Sequence, residues 1–274
     1  MRQKLVAFVV LNFMAVSFCF SQEADSSYQD SAVANYDFLI LGVEYQRAIT
    51  FLGRDFGNKI PVLSFDMMYY FQSGVYLTAT SLKFFEEDLT WQHGLSLGYF
   101  GDLSPKTDLN VSYSQFFGGS NVNVAGVDKV GFLQGTFGWD WGGMYSTTQL
   151  QVVVNQPSDF YIASNHSRYF EVDRAVFGSG LLSFQPGFSF TLGTSRFYQI
   201  GGYDLNEEEM ATTNKFQFQV WELSLPVNLN FGYFDIEFQP KLVNPVNVPE
   251  YDSSKGRFVG SLQLSYTLPI KNNR

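Results

Sequence analysis

From residue 89 onwards the chain alternates. Leu89, Trp91, His93, Leu95, Leu97 and Tyr99 fall on one parity, and Thr90, Gln92, Gly94, Ser96 and Gly98 on the other. The same pattern recurs in Leu182, Phe184, Pro186, Phe188, Phe190 and Leu192 against Ser183, Gln185, Gly187, Ser189 and Thr191. It returns in Phe258, Gly260, Leu262, Leu264, Tyr266 and Leu268 against Val259, Ser261, Gln263 and Ser265. A period of two makes each segment a strand with one apolar face and one small, polar face. A soluble sheet alternates as well, but repeated strands of about ten residues with aromatic residues near their ends read as a transmembrane antiparallel β-barrel.

The pattern yields twelve strands, at 37–48, 61–71, 75–84, 89–99, 107–117, 131–141, 144–154, 159–166, 180–192, 216–231, 233–242 and 257–268. An even count leaves both chain termini on the periplasmic side, with ten and fourteen the neighbouring counts. Glycine-bearing tight turns at 72–74, 142–143 and 232 suit that side, and the longer links 51–60, 118–130, 193–215 and 244–256 then face outward. The link 167–179 breaks this order. It either folds against the barrel mouth or changes the count by a pair. Pro186, Pro226 and Pro240 fall inside strands, where a missing N–H costs a ladder bond, so they are expected at bulges or rims. Within 216–231 the apolar parity changes from Phe216, Phe218 and Val220 to Trp221, Leu223 and Leu225. A bulge near Val220 and Trp221 would return both sets to one face.

The start of the chain gives the compartment. Arg2 and Lys4 precede the nearly continuous apolar run 5–20, and small residues at Cys19 and Ser21 suit cleavage before Gln22. This reads as a secretory signal at 1–21. A polar segment at 22–35, the barrel at 36–270 and a polar tail at 271–274 follow. Bulky Phe18 before Cys19 disfavours a lipidated cysteine, and with Cys19 the one cysteine of the 274 residues, the mature chain would hold no disulfide. Losing Arg2 and Lys4 takes the formal charge from -9 to -11, which disfavours nucleic acid as a partner. After Phe20 no apolar run approaches the twenty residues of a helical span. A bacterial outer-membrane location follows, with outer-membrane lipids, lipopolysaccharide and the barrel assembly machinery as partners.

The inward parity is mainly small and neutral, as in Asn110, Ser112 and Ser114 or Gln134, Thr136 and Gly138. Acidic Glu222, Asp235 and Glu237 gather late in the chain against Lys241. Such a lining would pass small polar solutes and favour cations. The alternative is a closed structural or surface-binding barrel, its interior filled by side chains or by the segment 22–35. Trp91, Tyr99, Tyr113, Trp139, Trp141, Trp221 and Tyr266 form a candidate aromatic girdle at the headgroup levels. A barrel lipid hydrolase is the third reading. His93 shares a face with Trp91 and Leu95, hence with lipid. His166 has Ser164 on its own face, roughly 6–7 Å away in a regular strand and beyond hydrogen-bond reach. Catalysis there would need bending or a serine from a neighbouring strand. The acidic runs Glu86-Glu87-Asp88 and Asp204 with Glu207-Glu208-Glu209 read as solvated loops before calcium sites, and no motif for a metal or other cofactor is present.

The Phe-Ser-Gln end of the signal, the alternating strands, Leu-Ser-Leu-Pro-Val at 223–227 and Phe-Gln-Pro-Lys-Leu-Val-Asn-Pro at 238–245 carry a resemblance. Over almost the whole mature chain the sequence resembles uncharacterised outer-membrane β-barrel proteins of the Bacteroidota. That resemblance implies an outer-membrane location and transfers no activity. Such barrels commonly end on an aromatic residue read by the assembly machinery. Here Tyr266 is followed by Thr267-Leu268-Pro269-Ile270 and the polar tail, so an internal Tyr266 would have to serve.

Overall fold

The computed structural model describes residues 36–55, 59–86, 91–118, 129–154, 156–200 and 203–271. The signal, the segment 22–35 and residues 272–274 lie outside them. Fifteen strand segments run in chain order. They are β1 (Tyr36–Gln46), β2 (Val62–Tyr70), β3 (Val75–Phe84), β4 (Gln92–Ser104), β5 (Thr107–Gly118), β6 (Lys129–Asp140), β7 (Tyr145–Val154), β8 (Asp159–Ser167), β9 (Phe170–Glu171), β10 (Leu181–Phe184), β11 (Gly187–Gly193), β12 (Gln217–Ser224), β13 (Val227–Phe231), β14 (Phe234–Pro245) and β15 (Arg257–Lys271). Two short helices, α1 (Phe197–Ile200) and α2 (Glu207–Thr213), lie between β11 and β12.

Pairing closes these segments into a ring. Neighbours from β1 to β8 pair in sequence, followed by β8 with β11, β11 with β12, β12 with β14, β14 with β15, and β15 with β1, all antiparallel. The remaining segments are continuations. β9 extends β8, β10 runs into β11 and β12 into β13, with registers that carry on across each gap. The barrel therefore has twelve strands. With every strand of the wall paired on both sides, no open edge meets lipid.

The gaps are made by proline. Pro186 separates β10 from β11, Pro226 separates β12 from β13, and Pro240 lies opposite them within β14. Arg168 N donates to Pro186 O, Gln185 N to Pro226 O and Leu225 N to Pro240 O. The missing N–H groups thus share one seam across adjacent strands instead of breaking the wall at three places. Bulges or rims were the sequence expectation, and the seam lies between the ends of the strands instead.

Two irregularities seen in the sequence resolve here. The link 167–179 is a hairpin extension of the wall, in which β8 resumes briefly as β9 and the turn closes through the Val176 and Gly180 bridge. At its tip Phe177 and Gly178 take φ of 49° and 94°, and glycine bears the second without strain. The phase change in 216–231 is a bulge at Gln219, where Thr191 pairs with Val220 but Leu192 with Phe218. The extra residue sits earlier than the parity suggested. Val220 therefore turns inward and is buried, and Phe218 joins Trp221 and Leu223 on the outer parity. The last strand also runs to Lys271, so Pro269 and Ile270 pair with Phe38 and Asp37, and Lys271 belongs to the wall and not to the tail.

The outer face is apolar all round. Leu41, Met67, Leu95, Leu133, Leu150, Phe188 and Leu264 are all exposed on it. Exposed aliphatic surface on every strand would cost about 25 cal/mol per Å² in water, and a bilayer removes that cost. No helix among the described residues is long and apolar enough to cross a membrane. The strands do so, which places the protein in an outer membrane. Tyr36, Lys271 and the turns near Gly74, Gly142 and Gly232 share one rim, the periplasmic one, and the long loops share the other.

Candidate functional site: the lumen and its outer plug

Inward positions follow from the same registers. Midway along the barrel they are polar and partly exposed to solvent, as in Ser96, Asn110, Ser112, Thr136, Gln149, Ser189 and Asn228. Glycine makes room for rings that lie flat on this surface. A Cβ on Gly98 would collide with the Tyr76 ring, and one on Gly94 with Phe116. The Tyr76 hydroxyl donates to Asn110 Oδ1 at 2.9 Å, and that of Tyr145 to Asp108 at 2.7 Å.

Acidic side chains form a patch across the closure of the barrel. Glu44 pairs with Gln263, and Gln263 with Glu237 on its other side; Asp66 lies opposite Gly42, and Asp235 opposite Asn230. Thr80 donates to Asp66 at 2.6 Å and Asn230 to Asp235 at 2.8 Å. The acids expected together are only partly so. Asp235 and Glu237 are neighbours on β14, but Glu222 pairs with Val243, nearer the outer rim, with Lys241 across from Ser224. Glu44 and Asp66 were missed, although the outward Leu41, Val43 and Tyr45 already assign Glu44 to the inner parity.

The outer end of the lumen is filled. Inward Val62, Leu82, Phe84, Phe116, Phe132, Val153 and Tyr161 meet Ile49 and Phe51 from the first outer loop and Phe197 and Tyr198 from α1 in one buried cluster. Phe51 packs edge-on to Phe197 with centroids 4.8 Å apart. Through this cluster runs Arg54, whose side chain has 0% exposure. Its Nε donates to the Tyr198 hydroxyl at 2.8 Å, Nη1 to Leu52 O and Gln219 O, and Nη2 to Val246 O at 3.0 Å. Asp252, 4.0 Å from Nε, accepts from Tyr198 and Ser254. Asp55 extends the network to Ser254 and to Arg257 at the start of β15. Three loops and the β12 bulge are thus tied to one cation. Burial pushes the Tyr198 hydroxyl far above the ordinary phenol range, with Arg54 opposing and Asp252 adding to the rise, so it remains a donor.

The other candidates lie elsewhere. His166 faces outward on β8, and the side chains lean enough for Ser164 Oγ to come within 3.2 Å of Nε2, which corrects the backbone-spacing expectation. From β7, Ser146 Oγ reaches Nδ1 at 2.8 Å and accepts from Trp141 Nε1. Both imidazole nitrogens are therefore engaged by serine hydroxyls. His93 also faces outward, with Ser81 Oγ 2.9 Å from Nδ1. Of the proposed girdle, Trp139, Trp141 and Tyr266 lie toward the periplasmic rim, with Trp139 and Trp141 stacked at 4.2 Å. Trp91 and Trp221 lie toward the outer one, Tyr99 lies midway along β4, and Tyr113 lies midway along β5, donating to Gln115. Glu207, Glu208 and Glu209 form the first turn of α2, where Glu209 accepts from Asn206 N in a capping box. Glu87 and Asp88 lie outside the described residues. Among those described, no cluster of three His, Cys, Asp or Glu is placed to share a metal ion.

No protein family matches the sequence, and no curated protein matches it either. Solved structures do. The NanC porin aligns at 7% identity over 84% of this chain and 100% of its own, with a TM-score of 0.50. The KdgM porin aligns at 6% identity over 84% and 98%, with a TM-score of 0.49. LpxR from Salmonella typhimurium aligns at 8% identity over 84% and 99%, with a TM-score of 0.48. At these identities the likeness is one of fold: the chain has the fold of an outer-membrane β-barrel.

Proposed function

We propose that the protein is a narrow, gated channel for small polar solutes with a preference for cations, an outer-membrane barrel of the type seen in Bacteroidota. The observation that carries this reading is the contrast along the axis. The middle of the lumen is polar and partly exposed to solvent, and its outer end is stopped by loop residues packed on the inward side chains of the wall. The field of Glu44, Asp66, Asp235 and Glu237, opposed on β14 by Lys241, favours cations in the wet section. The aromatic residues at the two rims anchor the barrel at the headgroup levels. A closed barrel without transport is the second reading, favoured by the completeness of the Arg54 network.

Planar-bilayer recording under a potassium chloride gradient tests the channel. The expected result is a small, intermittent current with a cation-selective reversal potential, reduced by joint Glu44→Gln and Glu237→Gln substitution without loss of current. A membrane that stays silent even after the plug loops are cut back would leave the closed barrel.

A further inference from the structure

The lipid-facing surface over β14, β15 and β1–β3 is not smooth. Two neighbouring rows of outward residues cross the strands. One runs Tyr266, Leu41, Met67, Ala79, and the other Leu264, Val43, Phe65, Ser81, each residue paired with the next in register. Between them lies a groove of about 530 Å³ that begins at Phe234, beside the periplasmic turn. It exists because Ala79 and Ser81 are small where the facing positions hold Met67 and Phe65. It is an open groove on the barrel surface and not an enclosed cavity.

The other end is polar. Ser81 pairs in register with His93, one residue inside the outer end of β4. A polar pair on a lipid-facing surface is costly unless it is satisfied. Ser81 satisfies Nδ1 of His93. Nε2 makes no hydrogen bond among the described residues, unlike its counterpart in His166, which Ser164 engages. When the serine hydroxyl donates to Nδ1, the proton sits on Nε2 and is aimed at an acceptor outside the protein. Phe65, flanked by Trp91 with ring centroids 5.9 Å apart, walls this end.

We propose that the groove is a binding site for one acyl chain of an outer-leaflet lipopolysaccharide, with the Ser81 and His93 pair meeting the carbonyl that joins the chain to its sugar. The occupant follows from the orientation. Only hydrocarbon fills an apolar groove at this depth, and the polar end faces the outer rim. A chain entering there belongs to the outer leaflet and runs obliquely across β3, β2 and β1.

The test is native mass spectrometry of the detergent-solubilised barrel, mixed with purified lipopolysaccharide or with phosphatidylethanolamine. One lipopolysaccharide per barrel is expected to survive detergent release. Ala79→Trp, which fills the groove, and His93→Ala, which removes the donor, are each expected to lower the retained fraction at least tenfold. Leu150→Trp, on the outer face of β7, is expected to leave it unchanged, and heat-modifiability on gels identifies folded barrels throughout. Equal retention by all four proteins, or no retention by any, would reduce the groove to ordinary annular contact and overturn the proposal. Preferential retention of phosphatidylethanolamine would overturn the choice of lipid.

Discussion

Replacing Arg54 by alanine should turn a closed barrel into an open one. Arg54 is fully buried and donates to Tyr198, to the carbonyls of Leu52, Gln219 and Val246, and stands beside Asp252. Truncation strips those acceptors of their donor and leaves the Asp252 carboxylate buried without its cation. Breaking a buried pair in this way costs about 3–5 kcal/mol. The cost falls on the plugged state alone, since an open plug exposes the same groups to water. At about 1.4 kcal/mol per tenfold, the ratio of open to closed states rises by roughly two to three and a half powers of ten. Single-channel recording reads this as open probability, with the barrel's folding checked on unboiled gels. Arg54→Lys should fall between, since an ammonium keeps the charge but cannot reach four acceptors in the fixed geometry of a guanidinium. A folded Arg54→Ala barrel with the open probability of the parent would refute the idea that this network holds the gate.

Arginine at Leu95, Phe188 or Leu264, all outward, should lower barrel stability by about 2–4 kcal/mol at midplane depth, and arginine at inward Ser96, Ser189 or Ser265 far less. Refolding titrations into vesicles measure this, and equal damage from both sets would reverse the assignment of faces. Alkali should also loosen the plug. Burial raises the phenols of Tyr198 and of Tyr203 and Tyr251, whose rings pack edge-on against it in the plug, the last to about 12, whereas in the open state they ionise near 10. Their contribution to closure is complete below pH 10 and is lost above it. Conductance should stay flat from pH 7 to 9 and climb beyond 10, and a flat profile to pH 11 would contradict the role of these phenols.

The wall was legible in the sequence because a strand in lipid must alternate, and one parity slip reverses a whole face. Leu95 against Ser96, or Leu264 against Ser265, fixes the two faces without any knowledge of neighbours. The change of parity in 216–231 likewise announced a bulge, but its position depends on which carbonyl Gln219 offers to Arg54 and Val246, a tertiary fact. The plug was not legible. Ile49 and Phe51 lie in an irregular loop and Phe197 and Tyr198 in a single helical turn, too short for a period to be read, and nothing local marks Arg54 as buried where Arg47, seven residues earlier, is not. The acidic patch was half legible. Glu237 was found on its own strand, but Glu44, across Gln263 from it, is brought there by the closure of β15 onto β1, at the two ends of the chain.

The central claim is a lumen open to the periplasm and stopped at its outer end, and sided thiol labelling tests it most directly. The one native cysteine is Cys19, in the predicted signal, so Ser112→Cys or Ser189→Cys places a single thiol in the wet section of the mature barrel. In oriented vesicles a membrane-impermeant maleimide should reach either thiol from the periplasmic side only, and from both sides once Arg54 is replaced by alanine. Labelling of the parent barrel from the outer side, or from neither side, would contradict the account.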